Sequence, residues 1–285
     1  MNKRKIYSIG FLLPAFIIFL IFFLVPLLLS FFYSLTIWDF DSVKFCGLNN
    51  FKMFFSERSL NTGIKNTLIY AVLTSGLKVF LAFLLAVFLT SGIKTRNFLR
   101  SVIFFPNLVS TIAVGLTFKA LMHPSKGLFN RCLQWLGFQG VDWLGNTDIA
   151  LFSIVAVDVW KGIGIATVIY IAGISAIDFT YYEAASIDGA AGLKRLWYIT
   201  VPLCRSSMNT VIILSLIGGL RSFDLIYAMT GGGPGFATEV VAMSVYKQYA
   251  SGYYGLSTAG NVIMLLMIGI IAYPLKRFLM SKGVG

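Results

Sequence analysis

Six apolar runs separated by polar connections divide the chain: Ile9 to Tyr33, Thr67 to Thr90, Ser101 to Met122, Ile149 to Gly173, Ser206 to Thr230 and Gly255 to Tyr273. Each is near the ~20 residues that cross about 30 Å of hydrocarbon. None alternates as a barrel strand does, and backbone groups in lipid must be satisfied within their own segment, so each run predicts a helix. One continuous helix per run is the expectation. In the outer connection from Lys126 to Leu136, Leu128, Phe129, Cys132, Leu133, Trp135 and Leu136 share one helical face. That pattern predicts a short helix lying at the outer interface.

Composition strengthens this picture. Hydrophobic residues are 58% of the 285 positions and charged residues 12%, too little charge to cover a soluble core of this size. The net charge of +12 would suit nucleic acid only if the basic residues were gathered on one face, and they lie instead in the short connections, so no nucleic-acid partner is expected. Twelve Lys/Arg fall at the termini and in the connections 91–100 and 174–205, against eight on the opposite side. This bias places both termini in the cytoplasm, with residues 1–8 as a cytoplasmic N-terminus and 9–285 as one transmembrane domain. The Lys3-Arg4-Lys5 start is like a signal peptide's charged region, but the run behind it is long and contains Pro14 and Pro26, so it reads as a retained helix. Cys46, Cys132 and Cys204 match no metal-ligand spacing; a Cys46–Cys132 bridge outside the membrane is the minor alternative to three free thiols.

The cytoplasmic connection 174–205 carries the most specific sequence. It reads Glu183-Ala184-Ala185-Ser186-Ile187-Asp188-Gly189-Ala190, followed by Leu196, Ile199, Val201 and Pro202. Tyr182 to Ile187 suits a helical turn in which small Ala184 and Ala185 permit close approach, and Gly189 suits the bend that ends it. Glu183 near the start of such a helix is favoured by the helix dipole. After the fifth run comes Phe223-Asp224-Leu225-Ile226-Tyr227-Ala228-Met229-Thr230-Gly231-Gly232-Gly233-Pro234, then Thr238. Its glycines and proline force an irregular turn outside the membrane, and no Lys-Ser/Thr follows to make a phosphate cradle.

The first of these segments resembles the EAA loop of permeases from binding-protein-dependent ABC importers, and its Ile-Asp-Gly-Ala wording resembles the carbohydrate branch. The second resembles the outer loop of the sugar permeases similar to the glycerol-3-phosphate, multiple-sugar and larger maltose permease subunits. The resemblance extends to Pro14, Pro26, Trp38, Gly47-Leu48-Asn49-Asn50-Phe51 and Trp160-Lys161. One departure is Ala176-Ile177-Asp178, where the family commonly has a proline. The resemblance implies an all-α, six-helix, type I importer permease fold. It assigns Glu183, Ala184, Ala185, Asp188, Gly189 and Ala190 to coupling with an ATPase, and Gly232, Gly233 and Pro234 to the side that meets a solute-binding protein. It further implies a second related permease completing a heterodimer, and two ATPase copies that use ATP and Mg while this chain binds no cofactor. The location implied is the bacterial cytoplasmic membrane. The cargo would be a sugar or oligosaccharide, with a polyol or glycerol phosphate as the alternative.

Five ionisable residues interrupt the apolar runs: Lys78, Asp158, Lys161, Arg221 and Asp224. Such groups are costly in hydrocarbon and face a partner or a cavity. Asp158 with Lys161, and Arg221 with Asp224, are three apart, so either internal ion pairs or a polar translocation path fits. For the path, Arg221, Asp224 and Tyr227 are favoured, with Asp158 and Lys161 as further candidates. Lys78 has no local partner. An enzyme is not expected, because the lone histidine, His123, has no carboxylate or second histidine beside it. An ion-coupled carrier would call for repeats and broken helices, which the pattern does not predict.

Overall fold

A computed structural model of the chain describes residues 9–39 and 42–281. The cytoplasmic N-terminus 1–8, with Lys3-Arg4-Lys5, and Lys282 lie outside them. Among the described residues four helices are long and apolar enough to cross a bilayer, and counting each of two sharply bent helix pairs as one span gives six.

The first span, α1 (Gly10–Ser34), runs into a two-stranded hairpin, β1 (Thr36–Trp38) and β2 (Val43–Phe45), with Thr36 opposite Phe45. Gly47 takes a left-handed φ of 58° and turns the chain into α2 (Asn49–Ser56). From its second position Asn50 donates to the carbonyls of Ser34 and Thr36 at 2.9 and 2.8 Å. The Gly-Leu-Asn-Asn-Phe stretch is thus the clamp that fixes the outer end of α1.

The second span, α3 (Arg58–Thr90), begins nine residues before the apolar run does. Its polar first turns brace the outer loop: Asn66 donates to the carbonyls of Phe236 and Ala237, and the Thr67 hydroxyl accepts from the amide of Val241. The third run is not one helix. It divides into α4 (Arg96–Leu108) and α5 (Thr111–Leu121), which meet at 96°. Pro106 supplies no N–H to the turn before it, and Val109 and Ser110 are extended, so the backbone leaves the helix where its hydrogen bonding is weakest.

The expected outer helix is present as α6 (Leu128–Trp135), with Phe129 turned into the core and Trp135 and Leu136 exposed. The fourth span, α7 (Ala150–Ser175), is the most buried and packs along α3. The cytoplasmic α8 (Phe179–Ile187) follows. Then α9 (Leu193–Leu203) and α10 (Arg205–Leu220) meet at 71°. The fifth run breaks again at 221–223 before α11 (Asp224–Met229). Outside the membrane α12 (Val241–Ala250) leads to the last span, α13 (Tyr254–Ser281).

Two apolar clusters stack along α3 and α7. The outer one joins them to α5, α11 and α12, and the inner one joins them to α4 and α10. Close helix contact depends on missing side chains. A Cβ on Gly219 would meet the Ala71 Cα at 2.7 Å, and one on Gly164 would meet the Ile103 carbonyl oxygen at 2.6 Å. Most of α1 has no such packing: its most apolar stretch has no residue buried within the chain. All three cysteines are free, so the Cys46–Cys132 alternative is not realised.

Candidate translocation path and coupling loop

The coupling segment is a nine-residue helix with both ends closed. Asp178 caps α8 by accepting from the Thr180 amide and hydroxyl, each at 2.9 Å, which satisfies donors that the first turn leaves open. These bonds hold the Asp178 carboxyl below its ordinary pKa. The capping aspartate belongs to the Ala176-Ile177-Asp178 stretch where the resembled family commonly has a proline, and both devices start a helix. At the other end the Ala190 amide reaches the Ala185 carbonyl at 2.8 Å, the Gly189 amide reaches Ser186, and Gly189 has a φ of +72°. This is a Schellman ending with a left-handed residue just past the helix. Because α8 begins at Phe179, Glu183 lies in its second turn and not at its start, so the dipole argument for Glu183 does not apply.

Only Ala185 of the helix is buried. Glu183, Ala184, Asp188 and Gly189 face outward, Ala190 is half-buried, and Ile187 is 87% exposed. Phe179, Tyr181, Leu193, Trp197 and Tyr198 add exposed apolar surface around it. The helix is fixed from behind: the Tyr182 hydroxyl is 3.2 Å from the buried Thr200 hydroxyl, and the Arg195 guanidinium stands over the Tyr182 ring at 5.4 Å. The result is an exposed apolar patch on a well-anchored helix, the kind of surface that marks contact with another protein or with a membrane.

The intramembrane charges pair differently from the sequence expectation. Asp158 pairs with Lys78 of α3 at 2.6 Å, not with Lys161. Lys78 reaches it by lying across Gly162, where a Cβ would come within 2.7 Å of the lysine Cε. Arg221 and Asp224 form no ion pair. Helical geometry stops at Leu220, and Phe223 has φ −140° and ψ −59°, so the three-residue spacing no longer places them side by side.

Arg221, Asp224 and Tyr227 are nevertheless all exposed, while Leu225, Ile226, Ala228 and Met229 of α11 are buried. Arg221 lines a cleft of about 430 Å³ between α1, α10 and α13, with Ser30 and Asn261. Tyr227 stacks on Phe223 at 5.3 Å, and Tyr246 of α12 stands edge-on to it at 5.3 Å. Lys161 is half-buried, next to an exposed Trp160. The structure therefore leaves Arg221, Asp224 and Tyr227 exposed, Arg221 in the cleft and Tyr227 against Phe223 and Tyr246, and keeps Asp158 paired with Lys78.

In the outer loop Gly231 and Gly232 have φ of 61° and 91°, and Gly233-Pro234 is a cis peptide. Thr238, wholly buried, donates to the Gly233 carbonyl at 2.7 Å. Behind the glycines lies Glu239, whose side chain is 2% exposed; it accepts from Lys247 at 2.6 Å and from Ser244 at 3.0 Å. A Cβ on Gly232 would fall on the Glu239 carboxylate, so this glycine is required by the buried acid as well as by its own backbone.

The model of the family described as "Binding-protein-dependent transport system inner membrane component" matches residues 78–282, from Lys78 of the ion pair through α13. The chain belongs to this family. It is a multi-pass component of the cytoplasmic membrane. It is 34% identical to the trehalose/maltose transport system permease protein MalF of Thermococcus litoralis, over 97% of this chain and 96% of that one. It is 31% identical to the arabinooligosaccharides transport system permease protein AraP of Bacillus subtilis, over 99% and 92%. Its fold matches a chain of a bacterial ABC transporter that imports the acidic polysaccharide alginate, with TM-score 0.83, 23% identity and coverage of 95% and 94%.

Within this family assignment the features that sequence reading missed are tertiary. Glu239 and Lys247 are eight residues apart, and Lys78 and Asp158 eighty, and neither separation is a local signal. The available hint was compositional and applied to the second pair alone: Lys78 and Asp158 are isolated charges in apolar runs, and such charges need partners. Tyr246 gave no signal, because its meeting with Tyr227 depends on the turn of the outer loop.

Proposed function

We propose that this permease forms half of the translocation path of an ATP-driven importer for a sugar or oligosaccharide. A second, related permease completes the path as a heterodimer, two ATPase copies consume ATP with Mg, and an extracytoplasmic solute-binding protein delivers cargo near Gly232, Gly233 and Pro234. The observation that carries the reading is α8: a short helix capped at both ends, presenting Glu183, Ala184, Asp188 and Ile187 outward, and held at the junction of two spans. The names of the relatives support a saccharide cargo.

Transport by this route is alternating access. Closure of the ATPases moves α8 together with Ala190, and that displacement reaches the bent α9–α10 pair and the break before α11. A change of state needs an interaction that differs between states, and the exposed face of α8 is where nucleotide supplies it. Arg221, Asp224 and Tyr227 face the path, where charged groups and an aromatic ring suit sugar hydroxyls and the apolar face of a pyranose. Asp158 and Lys161 lie farther back, and the Asp158 carboxylate is already engaged by Lys78.

The test is reconstitution of the complete complex in vesicles, with saccharides, glycerol phosphates and polyols screened for stimulation of ATP hydrolysis. Stimulation by a saccharide delivered with the binding protein is expected. Uptake that persists in ATP-depleted vesicles under an ion gradient would overturn the proposal in favour of a carrier.

A further inference from the structure

A pocket of about 480 Å³ lies between α8, α9 and the final turns of α3 and α7, a volume within the range of small-molecule sites. Val87, Ile174, Ile177 and Leu196 give it apolar walls, and Ser91, Ser175 and Arg195 supply polar groups. Among the described residues no carboxylate lines it. The Ser91 hydroxyl is turned back onto the Phe88 carbonyl at 2.6 Å. The Arg195 guanidinium stands over the Tyr182 ring at 5.4 Å, but among the described residues it has no ion pair and its side chain makes no hydrogen bond.

Independent features place this pocket at the edge of the bilayer. Its lining includes the last residues of two spans, Thr90 of α3 and Ser175 of α7. The neighbouring α9 meets α10 at 71°, and because α10 crosses the bilayer, α9 lies closer to the membrane plane than to its normal. Leu193, Trp197 and Tyr198 are exposed on α9 beside exposed Lys194 and Arg195, and no acidic residue occurs from 189 to 223. Tryptophan and tyrosine gather at the membrane–water interface, and basic side chains there attract anionic headgroups. A guanidinium set among apolar walls at that depth is matched by a phosphate, whose oxygens fit its fork of donors.

We propose that the pocket behind α8 binds an anionic phospholipid. Arg195 pairs with the phosphate, the Ser175 hydroxyl donates to it, and Val87, Ile174 and Ile177 receive the apolar part that follows. The coupling helix then rests on the membrane as well as on α9. Neither the cargo nor the ATPase partner enters this inference.

The experiment is native mass spectrometry of the assembled complex in detergent, titrated with phosphatidylglycerol. The wild type is expected to retain phosphatidylglycerol in preference to phosphatidylcholine. Arg195→Gln weakens retention about fivefold, the share of one basic group near a charged surface. Because Arg195 also packs on Tyr182, a second variant is needed: Ser175→Leu fills the pocket without removing charge and lowers retention by a similar factor. Lys276→Gln removes an exposed cation of α13 outside the pocket and leaves retention unchanged. Equal losses in Arg195→Gln and Lys276→Gln would mean diffuse attraction to headgroups, and wild-type retention in Ser175→Leu would mean that the lipid sits elsewhere. Equal retention of phosphatidylcholine would remove the need for net charge. Displacement of phosphatidylglycerol by inorganic phosphate or glycerol phosphate would make the occupant a soluble anion. Each of these four results overturns the proposal.

Discussion

Gly162 shows how one absent side chain governs a charge pair. A Cβ there meets the end of Lys78, a flexible group that is able to move aside, but only by leaving Asp158. Gly162→Ala is therefore expected to cost on the order of 2 kcal/mol through the weakened, largely buried pair rather than through a clash. Gly76, whose added Cβ would meet nothing within 4 Å on the same helix as Lys78, is the control: Gly76→Ala is expected to be neutral or slightly stabilising, with thermal midpoints of the purified complex as the measure. Asp178 gives a pH-dependent test at the coupling helix. Its carboxyl pKa is lowered by the bonds from Thr180, so its capping is fully present above the ordinary carboxylate pKa and is lost as pH falls through the lowered folded value. Amide protection factors across α8, which correct for the intrinsic rate, should fall at acid pH in the wild type. In Asp178→Asn, whose side-chain oxygen still caps but does not titrate, they should stay level; equal acid behaviour in both proteins would remove Asp178 as the cause. Gly189 was legible in the sequence because a helix ending is local. The partner of Lys78 was not, because it is brought by a different span.

Among the elements, the outer loop is held both by its own side chains and by those of α3. Glu239 lies behind the glycine turn, Thr238 ties it to Gly233, and Asn66 and Thr67 of α3 hold its far side. The two members of its ion pair differ in environment: the Glu239 side chain is 2% exposed and that of Lys247 is 42%. Lys247→Met leaves a carboxylate buried without its cation, whereas Glu239→Gln leaves a lysine that water still reaches. The lysine variant should be the more destabilising, by about 1 to 2 kcal/mol after discounting for solvent screening at Lys247. Titration of binding protein against the complex should show weaker docking in the same order. The reverse order would mean that Glu239 acts by something other than its charge. The bends and the break in the third and fifth spans belong to this scale too. Hydropathy gave the right runs and the right number of spans, because burial in lipid averages over about 20 residues. It is blind to a 96° turn inside a run, since hydropathy counts side chains, and those of Val109 and Ser110 change the mean of the run little whatever their backbone does. Expecting continuous helices was thus an error of resolution. It also removed one argument against a carrier, whose exclusion rests on the family match.

On the proposed importer reading, the whole molecule is incomplete as a single chain. Exposed Arg221, Asp224 and Tyr227 lie within the fifth apolar run, and the most apolar stretch of α1 buries nothing. Lipid suits the second surface and not the first, so the two call for different surroundings; in the importer proposed above, α1 lies against hydrocarbon or a partner helix, and a second permease closes a polar space at the α10–α11 break. Two measurements separate these roles. Asp224→Ala and Tyr227→Ala should lower uptake at least tenfold, because each removes a group from the path, while the amount of assembled complex stays at the wild-type level, because neither side chain is buried within the chain. Expression without the second permease should have the opposite character: the chain inserts, but its unmatched polar face stays open in the membrane, and its half-life should shorten several-fold in a pulse-chase experiment. If Asp224→Leu, which makes that face more compatible with lipid, lengthens the half-life of the lone chain while abolishing uptake by the pair, the same carboxylate is both the reason the chain needs its partner and part of the path they form. A lone chain as stable as the paired one would instead mean that Asp224 finds its polar surroundings within this subunit, and the path would have to lie elsewhere.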